Sequence, residues 1–346
     1  MELESAFVSF AEHVRPKVES RLQRRLALEI RGITTHGPEI ASACSALTDV
    51  CLRGGKRIRA ALVFLGARCV RAPANTPLLV DIAAAVELLH AYFLVHDDWM
   101  DGDLVRRGGP SAHAVLRDRF GNAAGDAGAI LAGDWGATVA NHWMAQLDLP
   151  RAKLSNLWAA FFKMQRAAIL GQLRDTLTSG RNIERTYELK TASYTVEGPL
   201  ALGAIVSGAN SATLMALRKL AIPLGIAFQL RDDLIGLFSA ETDTGKPFGS
   251  DLKAGKYTAV TSYAFSCARG KEMRVLETVF GNPVATKKQL QQAVQVIESL
   301  GAKAWAERRI LQLVKRSALR IHDAPITEAS RRLLISASRN LALRST

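Results

Sequence analysis

The 346-residue chain has little of what staples, spans or frays a fold. Its four cysteines, Cys44, Cys51, Cys69 and Cys267, form no CxxC pair and keep no company with a histidine pattern. That excludes a disulfide framework and a Cys/His zinc site, and reduced thiols suit a cytoplasmic protein. Long uncharged apolar runs are missing: the region 78–95 is broken by Asp81, Glu87 and His90, which argues against stable membrane insertion. The acidic start "MELESAFVSF" lacks the positive n-region and apolar stretch of an export signal. Period-two alternation bounded by turn residues is nearly absent as well, so a sheet-based architecture is excluded.

What remains is helical. Apolar residues recur at three and four positions, and 48% hydrophobic content is ample for a buried core. Breaks such as "RGITTHGPE", "VRAPANTP", "RRGGPS", "TSGRN" and "ETDTGKPFGSDLKAG" separate ten to thirteen helices in one all-α domain over 1–346. The net charge of +13 admits nucleic acid, anionic lipid or polyphosphate as partners. Much of the excess lies in "ERRILQLVKRSALR" and "SRRLLISASRNLALR", where it reads as the solvated face of amphipathic helices.

Against this basic background the stretch "HAYFLVHDDWMDGDLVRRGG" crowds four aspartates after an apolar run. Asp97 and Asp101, four apart, share a helical face, with Asp98 beside them. Like charges about 4 Å apart repel by roughly 4 kcal/mol at an effective dielectric near 20, so a cation should hold them. Oxygen-only donors select Mg²⁺ or Mn²⁺ over zinc. A second run, "FQLRDDLIGLF", sets Asp232 and Asp233 at another helix end with Gln229 on the same face. Two such ends across a cavity suit a diphosphate and exclude a plain nucleic-acid binder, which needs basic stripes without paired acids. Basic residues supply anion sites: Lys56, Arg57 and Arg59 behind a Gly-Gly turn in "RGGKRIRAAL", Arg106 and Arg107 in "RRGG", and Lys190 with Thr191 in "ELKTAS".

With "DDWMD", "RDDLIG", "GGKRIR", "RRGG", Gly133–Asp134, Gly171–Gln172, "KT" and "GKPFGSDLKAGKYT" in this order, the chain resembles a trans-isoprenyl diphosphate synthase of the polyprenyl synthetase family. The resemblance implies an all-α bundle around a central cavity and a homodimer. It implies that Asp97, Asp101 and Asp232 bind three Mg²⁺ on an allylic diphosphate, with Asp98 and Asp233 in support. Arg106, Lys190, Thr191, Gln229, Lys246 and Lys256 would contact that substrate, Lys190 and the three metal-binding aspartates being the catalytic set. Lys56, Arg59, His90 and Arg107 match the residues that hold isopentenyl diphosphate. No protein nucleophile is required. His96, next to Asp97, reads as packing or support.

Two departures stand out: position 236 is Gly where the second motif usually ends in Asp, and Ala60 replaces the usual proline. The rivals are a class I terpene cyclase and a non-catalytic subunit of a heteromeric synthase. A cyclase needs Ser or Thr at 236 and Glu at 240, where this chain has Gly and Ala, and Glu241 is out of register. A non-catalytic subunit would tolerate loss of the first aspartates, which are all present. Phe93, four before Asp97, and Tyr92 lie about 6 to 7.5 Å along the axis from the metal site. By resemblance these rings floor the cavity and favour C15 farnesyl over C20 geranylgeranyl diphosphate.

Overall fold

In the computed structural model, residues 2–70, 76–178, 180–239 and 248–343 are described. They form α1 (Glu2–Ile33), α2 (Pro38–Leu52), α3 (Ile58–Val70), α4 (Thr76–Asp101), α5 (Ala112–Phe120), α6 (Asn122–Ala145), α7 (Arg151–Leu177), α8 (Ile183–Tyr187), α9 (Gly198–Val206) and α10 (Ser211–Phe238). The later helices are α11 (Ser250–Lys253), α12 (Ala259–Cys267), α13 (Gly270–Val279), α14 (Lys287–Ser299), α15 (Ala302–Asp323) and α16 (Glu328–Leu343). The all-α expectation holds. These helices outnumber the ten to thirteen expected because single-turn segments such as α8, with 5 residues, and α11, with 4, stand between the long ones. The only sheet among the described residues is a hairpin of β1 (Val105–Arg106) and β2 (Gly109–Pro110). Its two-residue turn, Arg107 at φ 52° and Gly108 at φ 72°, has the left-handed backbone that fits the strand twist of a tight hairpin.

The chain gathers into two compact units. One comprises residues 8–159 with 199–209, the other 1–7, 160–198 and 210–346. In the first, α4 packs against α3 and α6. This helix is long and apolar enough to cross a membrane despite its interruptions, as is α10; 67% of the apolar window of α4 and 50% of that of α10 are buried inside the protein. Burial in a core, more than the interrupting charges, accounts for their apolar character.

In the second unit α10 packs against α15 and against a segment between α8 and α9, Glu188–Glu197, wound as a π-helix. Such wide turns are rare and occur often at functional sites. Two glycines permit it to be gripped: a Cβ at Gly171 on α7 would lie 2.2 Å from Lys190 N, and one at Gly225 on α10 would lie 2.4 Å from Ala192 Cα. Neither approach tolerates a side chain. The Asn210 side chain caps α10 by accepting from Thr213 N at 2.9 Å. At the start of α12, Thr258 and Thr261 cap reciprocally, which ends the 254–257 connection from α11 at a defined point.

Candidate active site

Within the second unit, Asp175, Tyr187, Lys190, Gln229, Asp232, Asp233, Gly236, Ser250, Asp251, Lys256, Tyr257 and Thr258 line one cavity of about 290 Å³. Asp233 is buried at its base. Tyr187 Oη donates to Asp233 Oδ2, Gln229 Nε2 donates to Oδ1 at 3.0 Å, and Thr191 Oγ1 donates to Gln229 Oε1 at 2.6 Å. The tyrosine oxygen accepts in turn from Ala259 N at 2.7 Å, tying α12 to the same network. Burial pushes the Asp233 carboxyl up to about 7, with Asp251 and Asp175 adding repulsion against the hydrogen bonds that favour its charge. Lys190 Nζ donates to Asp175 Oδ2 at 2.6 Å, and Lys256 Nζ lies 3.9 Å from Asp251 Oδ1. A Cβ at Gly236 would stand 3.3 Å from Asp251 Oδ2, so the Asp251 carboxylate borders the place of the absent third aspartate.

Cations cluster in the first unit. Gly55, at φ 131°, leaves room for Arg107, whose guanidinium carbon would be 3.2 Å from a Cβ there; this joins "GGKRIR" to "RRGG". Arg107 Nη1 also donates to Val50 O at 3.3 Å, and Arg53 Nη1 to Pro110 O at 2.5 Å and Arg106 O at 3.2 Å. Burial, and then the charges of Arg59, Arg107, Arg57 and Arg106, hold His90 well below its ordinary 6.5. Lys56 is exposed and Arg59 half-buried at the start of α3.

The acidic end of α4 divides by face. Asp98 is buried and accepts from Arg106 Nε at 2.8 Å and from its Nη2, while Asp97 and Asp101 are half-buried. His96 lies against Gly133, its Nε2 2.9 Å from Ile130 O on α6, which agrees with a packing role. Tyr92 touches both neighbours, with ring centroids 4.7 Å from Phe93 and 4.7 Å from His96. Lys246, Ala240 and Glu241 lie outside the described residues.

Residues 41–297 match the family model described as polyprenyl synthetase. The chain belongs to the polyprenyl synthetase family. A geranylfarnesyl diphosphate synthase of Aeropyrum pernix is 31% identical over 296 residues, 82% of this chain and 88% of that protein. A (2E,6E)-farnesyl diphosphate synthase of Mycobacterium tuberculosis is 32% identical over 288 residues, 79% and 77% of the two chains. The solved geranylgeranyl pyrophosphate synthase of Corynebacterium glutamicum, complexed with isoprenyl diphosphate and magnesium, matches with a TM-score of 0.89 at 29% identity over 99% of both chains. This polyprenyl synthetase is therefore an enzyme, a prenyltransferase of the diphosphate synthase class.

Several residues of the synthase lay beyond sequence reasoning. Asp175 and Tyr187 come from segments with no acidic or aromatic pattern of their own. Asp251 was visible only as part of a loop, and Arg53 only as the residue before Gly-Gly. Glu87 did leave a signal, a lone charge inside an apolar run, since a buried carboxylate demands a partner. Among the described residues no three His, Cys, Asp or Glu side chains gather closely enough to hold a metal ion by themselves. The acidic groups at the cavity are the carboxylates of Asp175, Asp232, Asp233 and Asp251, and such oxygen donors fit a hard divalent cation that draws its other ligands from a diphosphate.

Proposed function

We propose that the enzyme condenses isopentenyl diphosphate with an allylic diphosphate, dimethylallyl or geranyl, in an Mg²⁺-dependent head-to-tail reaction. The carrying observation is the cavity that sets Asp175, Asp232, Asp233 and Asp251 around Lys190 and Lys256. Its carboxylates suit metal and its ammonium groups suit phosphate oxygens, a combination that serves a metal-chelated polyanion. In this reading Asp97, Asp101 and Asp232 hold Mg²⁺, three ions with substrate bound, Mn²⁺ being a substitute; Asp233 and Asp98 give support, the latter by fixing Arg106. The cation supplies charge neutralisation on the departing diphosphate. Lys190 and Lys256 exchange Asp175 and Asp251 for phosphate oxygens, joined by Arg106, Thr191, Gln229 and Lys246. Ionisation gives an allylic cation in a site from which water is excluded. Lys56, Arg59, His90 and Arg107 hold isopentenyl diphosphate, whose double bond attacks that cation, and released diphosphate takes the proton.

The arginines around His90 favour this reading over a terpene cyclase, which has no second diphosphate to hold. Phe93 floors the growing chain, braced by Tyr92, so the product is farnesyl diphosphate first and geranylgeranyl diphosphate second. An exposed apolar stripe on α7, Phe162, Ile169, Leu173 and Leu177, supports a homodimer. In the same reading residues 1–346 make one synthase domain, and the enzyme is cytoplasmic. Mass analysis of products from dimethylallyl or geranyl diphosphate, with and without isopentenyl diphosphate, tests the proposal. Turnover that needs no isopentenyl diphosphate, or that survives exhaustive chelation, refutes it. Turnover by the purified chain alone excludes the non-catalytic subunit.

A further inference from the structure

Glu87 is 2% exposed in the apolar middle of α4, and Arg57 is 4% exposed with left-handed backbone at φ 46°. Arg57 Nη1 donates to Glu87 Oε2 at 3.2 Å, its Nη2 to the Cys51 carbonyl at 2.7 Å, and its Nε to Glu19 Oε1 at 3.4 Å. The other Glu87 oxygen accepts from Ala60 N at 3.0 Å, satisfying an orphan N–H in the first turn of α3. One carboxylate therefore fastens both ends of residues 57–60. A guanidinium so enclosed has protein acceptors in place of a phosphate. A buried ion pair is no reliable source of stability compared with apolar residues of the same size, so its use here calls for another reason. The left-handed backbone of a non-glycine residue makes the same point, because it persists only where surrounding contacts over-determine it.

We infer that Arg57 and Glu87 are positioning residues for the isopentenyl diphosphate site: the pair locks the GGKRIR turn to α4, keeping Arg59 beside His90 and Arg107 and leaving Lys56 at the surface. The inference rests on the reading of Lys56, Arg59, His90 and Arg107 as that site. Glu87 is three residues before His90 on the same helix, so the lock and the site share one rigid element. Arg106 has a parallel arrangement: buried Asp98, eleven residues after Glu87 and therefore on nearly the same stripe of α4, fixes it from behind.

The test compares wild type with Arg57→Lys and with the charge-free double variant Arg57→Met, Glu87→Leu. The double variant should fold, melting within about 5 °C of wild type, because both buried charges are removed together. It should nevertheless raise KM for isopentenyl diphosphate about tenfold or more, with kcat and KM for geranyl diphosphate within about threefold. Arg57→Lys, which keeps a cation opposite Glu87 but lacks the planar fork, should fall between. Calorimetry with isopentenyl diphosphate alone should give the same order. An unchanged KM for isopentenyl diphosphate in the folded double variant overturns the inference. Should the double variant fail to fold, the KM split in Arg57→Lys decides, and an unchanged value overturns it equally. Lys56→Ala separates the two levels. If it leaves KM for isopentenyl diphosphate unchanged, the site reading fails; if it raises KM while the pair variants do not, only the positioning role fails.

Discussion

Adjacent aspartates in "DDWMD" should separate stability from metal binding. Asp98 is wholly buried and receives two N–H groups of Arg106, whose other carboxylate partner, Asp103, is 3.4 Å away. Asp98→Asn keeps the volume and removes the charge, leaving a largely buried guanidinium to the carboxylates of Asp103 and Asp97. Breaking a buried pair from one side costs about 3–5 kcal/mol; Arg106 keeps 18% of its side chain exposed, which lets water recover part of this and points to about 3 kcal/mol. Asp97→Asn, on the half-buried face, should cost less than about 1 kcal/mol while abolishing most activity. Urea unfolding in the presence of a chelator measures the first difference, and the Mg²⁺ dependence of turnover the second. Equal destabilisation by the two substitutions, or none from Asp98→Asn, would refute the division of α4 into a metal face and a positioning face.

At His90 the depressed folded value means that the unfolded chain takes up the proton first. Its contribution to stability is complete above about pH 6.5 and drains away as pH falls toward the folded value, so wild type should lose ground to His90→Gln between about pH 7 and pH 5. Parallel stability curves would contradict this. Asp251→Asn should weaken half-saturating Mg²⁺ by about tenfold, and Gly236→Asp in that background should restore most of it, because a side chain at 236 reaches the space beside Asp251. Failure of that rescue, seen in metal titrations, would remove Asp251 as the stand-in for the absent aspartate. Phe93→Ala should shift products toward longer chains by mass analysis, more so with Tyr92→Ala; an unchanged distribution would dismiss the floor. Tyr187→Phe, which strips Asp233 and Ala259 N of a shared buried partner without opening a cavity, should cost about 1–3 kcal/mol in urea unfolding.

Local pattern carried far in this chain. The period of apolar residues gave the helical class, and the four-residue step from Asp97 to Asp101 put both carboxylates on one side of α4. It set Asp98 beside that face, but that Asp98 is buried against Arg106 depends on which neighbour it meets. The π-helical turn through Lys190 and Thr191 had no local signature; it depends on glycines at 171 and 225, far away in sequence, that admit its backbone. The charges inside α4 argued against a membrane span, but which helices cover its apolar length, α3 and α6, is set by packing alone.

From the order of amino acids alone came the fold class, the family's motifs and the residue types that metal and diphosphate require, because these depend on helical period and on the chemistry of each side chain. Only the tertiary structure decided that Arg57 is enclosed by Glu87, that Asp98 faces Arg106, and that Asp251 borders Gly236. Each of these joins residues on different elements of the chain, and their meeting is set by how the helices and loops pack.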